Sequence, residues 1–212
     1  MEQITNEERA YYSLVQKAFR LLAPFYDVVA LPITRVREIV VDITGPGRGS
    51  TLLDIATGTG TQALAFAKRG FEVIGIDLSE AMLRVAQRKN IFGSVTFEIG
   101  DATQLRFESG RFDVACVSFA LHDMPLTIRE RALKEMVRVV KPGGTIVIAD
   151  YALPENRIGR FLIYNLIKLY EGDYYREFIR SDLKALLAQT GIELRQERPV
   201  LFGAGRILRG VT

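Results

Sequence analysis

Residues 51–60 read T-L-L-D-I-A-T-G-T-G and run straight into T-Q-A-L-A-F-A, and no other stretch restricts the fold as much. An apolar run (Leu52, Leu53, Ile55) breaks into a threonine–glycine turn, and the turn opens into an alanine- and leucine-rich helix. This is the pattern of a strand feeding a helix in a parallel α/β sheet, where backbone N–H groups at the helix N-terminus face a ligand. Gly58 and Gly60 carry no Cβ that would hold a ligand off the backbone. The chain is therefore expected to bind its ligand at the carboxyl edge of an open sheet.

The flanking pattern agrees. From residue 51 on, strands at 51–56, 71–77, 94–99, 111–119 and 145–151 are interspersed with helices at 62–68, 80–89 and 127–140. Ser79 caps the second helix, with Glu80 well placed in its first turn. Lys141-Pro142-Gly143-Gly144 stops the third helix and leads into the fifth strand. Such repeats predict an α/β fold, a parallel sheet with helices on both faces.

Ahead of the sheet, residues 7–22 place Leu14, Val15, Ala18, Phe19 and Leu22 on one helical face. Pro24 and Pro32 cut 23–43 into shorter pieces, with a helix at 34–43. Beyond the sheet core, 156–170 is apolar at helical spacing, and Ser181 or Asp182 caps a helix to Gln189. Residues 192–199 and 200–209 read as two closing strands. One domain in four parts is expected: an N-terminal helical cap (1–47), a ligand-binding core (51–151), cover helices (152–190) and closing strands (192–210).

A chain of 212 residues suits one such core. With Cys116 as the lone cysteine and His122 as the lone histidine, a disulfide framework and a cysteine- or histidine-cluster metal site are excluded. A net charge of +3 makes no case for nucleic acid without a clustered patch. No apolar run reaches transmembrane length, and residues 1–10 are acidic and polar, unlike a signal peptide. A soluble, cytoplasmic protein is the expectation.

Taken alone, Gly58-x-Gly60-x-x-Ala63 also fits a dinucleotide fingerprint. The acids nearby separate the alternatives. Asp77 closes the second strand, where a carboxylate accepts both hydroxyls of a ribose. Asp101 follows the third strand in G-D-A, placed for the exocyclic amine of an adenine. Asp54 lies inside the first strand, where a buried carboxylate needs a cationic or hydrogen-bonding partner. A pyrophosphate would not seek so much negative charge; a ligand bearing an ammonium would.

These residues resemble the class I S-adenosylmethionine-dependent methyltransferases. L-L-D-I-A-T-G-T-G (52–60) is similar to their glycine-rich motif, V-I-G-I-D-L-S (73–79) to their ribose-binding acid and F-E-I-G-D-A-T-Q-L (97–105) to their adenine-binding segment. F-D-V-A-C-V-S-F-A-L-H (112–122) resembles the fourth motif, and 133–148 resembles the helix and turn before the fifth strand. The resemblance implies a Rossmann-like seven-stranded sheet, order 3-2-1-4-5-7-6, with the last strand antiparallel. It implies S-adenosylmethionine as cofactor, with Asp54, Thr57, Gly58 and Gly60 on its methionine and ribose side. Asp77 would bind the ribose hydroxyls, Leu78 and Met82 would pack on the adenine, and Asp101 and Ala102 would meet its edge. The backbone of Ser118 would accept from the cofactor's amino group. Thr57 stands where the family motif has glycine or cysteine.

F-R-L-L-A-P-F-Y-D (19–27), the fourth-motif region and E-G-D-Y-Y-R-E-F (171–178) are similar to the ubiquinone and menaquinone biosynthesis C-methyltransferases and related small-molecule enzymes. Where those carry an arginine–asparagine pair, this chain has His122-Asp123. His122 is a candidate general base, since an imidazole titrates near neutrality. Tyr26 is a candidate lid, its ring facing the sulfonium by cation–π attraction. Residues 160–175, with Tyr11, Tyr12, Phe25 and Tyr26, would build an apolar pocket for a hydrophobic or aromatic small-molecule acceptor. A lipid-like acceptor would bring peripheral membrane contact, and a homodimer is compatible with this scheme. Two rivals remain at this level, an NAD-dependent oxidoreductase and a non-catalytic S-adenosylmethionine-binding module.

Overall fold

Seven strands form a single sheet in the computed structural model, which describes residues 5–45, 47–154, 156–157, 159–161, 164 and 173–212. They are β1 (Thr51–Ile55), β2 (Glu72–Asp77), β3 (Val95–Ile99), β4 (Phe112–Ser118), β5 (Val140–Tyr151), β6 (Glu193–Val200) and β7 (Gly205–Val211). The order is β3-β2-β1-β4-β5-β7-β6. Pairs β1–β2, β2–β3, β1–β4 and β4–β5 are parallel, and β7 runs antiparallel to both β5 and β6.

Strand β1 is buried from Leu52 to Ile55, as a central strand covered on both faces must be. Its alternate side chains enter two separate cores. Leu53 and Ile55 join Tyr11 and Val15 of α1 (Asn6–Leu22) and Ile128, Leu133 and Met136 of α6 (Leu126–Val139). Leu52 joins Val36 and Val40 of α3 (Thr34–Thr44) and Phe66 of α4 (Thr61–Lys68) on the other face. Further helices among the described residues are the short α2 (Tyr26–Val29), α5 (Glu80–Lys89), α7 (Asp173–Arg180) and α8 (Leu183–Gln189). Asp182 caps α8 by accepting from the Ala185 N–H.

The structure shifts three expectations. In α1 the buried residues are Glu8, Tyr11 and Val15, while Leu14 and Ala18 face out. Glu8 is taken inside because it closes a capping box with Thr5 and pairs with Arg131. Lys141–Gly144 belongs to β5 itself: Phe112 pairs with Val140 and Val114 with Thr145, so the extra residues bulge out of the ladder. The second closing strand begins at Gly205, because Leu201 and Phe202 adopt left-handed φ of 52° and 54° and turn the chain first. Most of the apolar stretch 156–170 lies outside the described residues. Among the described residues no helix is long and apolar enough to cross a membrane.

Candidate active site

The strand order reverses between β1 and β4, so the crevice beyond their carboxyl ends is where an open α/β sheet takes its ligand. The residues just past these two strands, Ala56 and Phe119, both hold a positive φ, 53° and 52°. Such strain persists where the surroundings fix it, commonly at ligand sites. Both line a cleft whose empty volume, counted out to open solvent, is about 690 Å³, and both also line a smaller adjoining compartment.

The two glycines of the turn serve different ends. Gly58 has φ +55°, and a Cβ there would project into the cleft, meeting nothing nearer than Tyr26 Cε1 at 4.0 Å. At Gly60, φ +73°, a Cβ would fall 2.5 Å from the Phe97 ring and 2.8 Å from Ala86 Cβ. Gly58 leaves backbone open to a ligand; Gly60 lets α4 close on its neighbours.

Around the larger cleft stand Gly58, Asp77, Leu78, Met82, Asp101 and Ala102. Asp77 Oδ2 accepts from Gly58 N–H at 2.8 Å and Oδ1 from Ser79 N–H at 2.7 Å. Burial pushes its carboxyl up, and the two backbone donors pull it partly back. Asp101 Oδ1 accepts from the backbone and hydroxyl of Thr103, both at 2.8 Å, which fixes the turn after β3. The other wall is apolar: Tyr11, Val15, Phe19, Phe119, Met124 and Ile128. Burial drives the Tyr11 phenol well above its ordinary range.

The smaller compartment contains Asp54, Thr57 and Ser118, together with Arg37 and Gln62, which the sequence reading missed. Asp54 is 1% exposed, and burial raises its carboxyl to about 7 despite the Thr57 hydroxyl donating at 2.5 Å and the nearby Arg37 cation. Gln62 is buried with Nε2 donating to the Arg37 carbonyl, and its Oε1 has no partner. No ion pair or hydrogen bond of the Arg37 guanidinium occurs among the described residues, and desolvation lowers its pKa. Arg37 could have been suspected as a cation three residues after the α3 start; nothing in the sequence aims it at the turn.

Tyr26 lines both compartments and meets Phe19 edge-on. Its neighbour Asp27 latches the cap to the turn: it accepts from Thr59 at 2.6 Å and Thr61 at 3.1 Å, and pairs with Lys89 at 2.8 Å. Burial alone would raise Asp27, but the bonds from Lys89 and Thr59 hold it below the usual carboxylate value. Phe25, expected in the pocket, faces solvent, and Tyr12 instead contacts Thr103. Phe25 follows Pro24 and begins a four-residue helix too short to bury two opposite faces.

His122 sits in the turn after β4 but behind the cleft wall, which its neighbours Ala120 and Asp123 form. Its Nδ1 lies 2.7 Å from Asp150 Oδ1 and its Nε2 3.6 Å from Asp123 Oδ2. A proton on Nδ1 would donate to Asp150 and leave Nε2 as the ring's acceptor nitrogen. Asp150 Oδ2 also accepts from the Leu121 N–H, and the buried Arg129 donates to the Leu121 and Met124 carbonyls. Asp150 stands one residue before the end of β5, near a strand end as Asp77 is, a signal that was available in the sequence.

A family model described as a methyltransferase domain matches residues 52–144. A demethylmenaquinone methyltransferase of Renibacterium salmoninarum is 38% identical over 145 residues, covering 66% of this chain and 60% of that protein's own length. A ubiquinone/menaquinone biosynthesis C-methyltransferase of Idiomarina loihiensis is 33% identical, covering 93% of this chain and 90% of the relative. Among solved structures, the magnesium protoporphyrin IX methyltransferase of Synechocystis with bound SAH superposes with a TM-score of 0.68 at 20% identity. That superposition covers 85% of this chain and 84% of the other, a likeness of fold.

Proposed function

The chain belongs to the class I S-adenosylmethionine-dependent methyltransferases, and on that premise we propose that it moves the cofactor's methyl group to a small apolar acceptor with a quinone-like ring. The observation that carries the proposal is the two-part cleft. Acids and an open Gly58 backbone lie on one side, and an apolar wall closes the acceptor side. Two relatives, a demethylmenaquinone methyltransferase and a ubiquinone/menaquinone biosynthesis C-methyltransferase, support the ring and a carbon target.

The residues fit the cofactor. Asp77 would hold the ribose hydroxyls, Leu78 and Met82 flank the adenine, and Asp101 and Ala102 meet its edge. Thr57, Gly58 and Gly60 would form the turn beneath it. Asp54, raised to about 7 by burial, would receive the ammonium together with the Ser118 carbonyl. Arg37 would receive the carboxylate, and the unpartnered Gln62 Oε1 supplies a further acceptor. When bound, S-adenosylmethionine supplies an electrophilic methyl group on a sulfonium.

Tyr26 closes both compartments and excludes water, its ring face suited to the sulfonium. Tyr11, Val15, Phe19, Met124 and Ile128 orient the acceptor ring for in-line attack. Ring carbon becomes nucleophilic when an adjacent hydroxyl loses its proton. Asp123 at the cleft wall would take that proton and pass it to His122 Nε2, whose Nδ1–H is fixed by Asp150. The chain would act in the cytoplasm on a small molecule rather than nucleic acid, alone or as a homodimer.

Calorimetry with S-adenosylhomocysteine should show binding; no signal at millimolar concentration would remove the whole proposal. Transfer of labelled methyl to a reduced, demethylated naphthoquinone should follow, and binding without transfer would remove the acceptor alone. His122→Ala should lower turnover with cofactor affinity retained; wild-type turnover would remove the proton relay.

A further inference from the structure

Among the described residues, nothing covers the outward side of the N-terminal helices. One side of α2 faces in, with Tyr26 in the cleft wall and Asp27 latched to Thr59, Thr61 and Lys89. On the other side Phe25, Val28 and Val29, with Leu21 before them and Leu31 after, are 58–78% exposed. Single exposed apolar residues are ordinary; five within residues 21–31 are not. Leu14, also exposed, extends the patch along the face of α1 that it shares with Lys17 and Leu21.

The charge near the patch is mainly positive. Residues 9–38 contain Arg9, Lys17, Arg20, Arg35 and the inward Arg37 against Asp27 and Glu38; Asp27 is engaged by Lys89 and Glu38 lies 3.9 Å from Arg69. Lys17, Arg20 and Arg35 are exposed and join no ion pair among the described residues. Exposed Leu, Val and Phe with exposed cations close by in the chain match a lipid headgroup layer: the apolar tips enter the acyl boundary while the cations stay with phosphate.

We propose that this face of the cap docks on an anionic bilayer, with Leu21, Phe25, Val28, Val29 and Leu31 inserted and Lys17, Arg20 and Arg35 at the phosphates. The inward side of the same α2 closes the cleft, so docking sets the cover of the site against the membrane. That use, collecting an apolar acceptor from lipid, rests on the methyl-transfer proposal; the docking itself does not.

The test is sedimentation of the full chain with vesicles of equal parts phosphatidylcholine and phosphatidylglycerol. Binding should exceed that to pure phosphatidylcholine vesicles by about tenfold and fall as salt is raised. The variant Phe25→Ser/Val28→Ser/Leu31→Ser should lose about 100-fold in vesicle affinity while keeping its melting temperature and its affinity for S-adenosylhomocysteine. Lys17→Glu/Arg20→Glu/Arg35→Glu should lose the preference for the anionic vesicles. Wild-type protein that stays in the supernatant, or a serine variant that binds as well as wild type, overturns the proposal. So does a lipid-free dimer that the serine variant converts to monomer, since the face would then belong to a second copy.

Discussion

Asp77 and Asp54 stand near the carboxyl edge of neighbouring strands, yet the fold completes one and leaves the other wanting. Asp77 accepts two backbone N–H groups, at 2.7 and 2.8 Å, and so braces the glycine turn before any ligand arrives. Asp54, deep beside Thr57 and Arg37, is raised to about 7 because burial outweighs what those neighbours supply. The side of the cleft proposed for adenosine is thus a finished scaffold of strand ends. The side proposed for the amino-acid end holds this raised carboxyl together with the Arg37 cation, one group for an ammonium and one for a carboxylate.

The largest effect is expected at the finished side. Asp77→Ala should weaken S-adenosylhomocysteine binding by about 100-fold or more, since two charge-assisted hydrogen bonds to the ribose and the brace on Gly58 disappear together. Asp77→Asn, which keeps one acceptor for the turn, should fall between the two. Calorimetry that found Asp77→Ala unchanged would erase the contrast between the acids.

Asp54 should show itself through pH. Its folded value lies above the ordinary 3.8, so the stability it contributes is full below about 4 and is lost as pH rises through about 7. A ligand ammonium needs the ionised form. Affinity for S-adenosylhomocysteine should therefore climb toward pH 7, by up to about tenfold per unit, while the ligand-free protein loses stability over the same range. Asp54→Asn should flatten both curves and cost about tenfold in affinity at pH 8. Parallel pH slopes in wild type and variant would place the cation elsewhere.

The finished side was legible in sequence because strand ends are local: Asp77, Asp101 and the Gly58 turn each follow an apolar run by a fixed step. The other side was not, because Arg37 and Lys89 reach the turn from helices 20 to 30 residues away along the chain, a juxtaposition that only the fold makes. The face of α1 was misjudged for a related reason. Leu14 looked more buriable than Glu8, but Glu8 has Thr5 and Arg131 as partners, and a satisfied carboxylate can go inside. Asp150 was within reach of the same rule that found Asp77.

The two glycines allow a sharper cut. Gly58→Ala should weaken cofactor binding about tenfold with a stability loss near 1 kcal/mol, the cost of its left-handed φ. Gly60→Ala carries the same strain and also drives a Cβ into Phe97 and Ala86, so it should lower stability by about 2–3 kcal/mol and affect binding mainly through the fold. Equal losses of binding at equal stability would mean that both glycines face the ligand.

The smallest effect belongs to the latch between the two sides. Lys89 and Asp27 are part-exposed, with side chains 28% and 42% accessible, so solvent screening limits the pair to about 1 kcal/mol or less. Lys89→Met removes the cation while leaving Thr59 and Thr61 to donate to Asp27, so the cap should stay docked but loosen. Hydrogen exchange across residues 24–33 should quicken, and S-adenosylhomocysteine affinity should drop by about two- to fivefold. Asp27 is held below its ordinary value, so its contribution is present above about pH 4 and lost as pH falls further. The loosened variant should accordingly differ from wild type at neutral pH and converge with it in acid. If exchange quickens while affinity holds, the cap roofs the acceptor alone, and the amino-acid side of the cleft is built by Asp54, Thr57 and Gln62 without it.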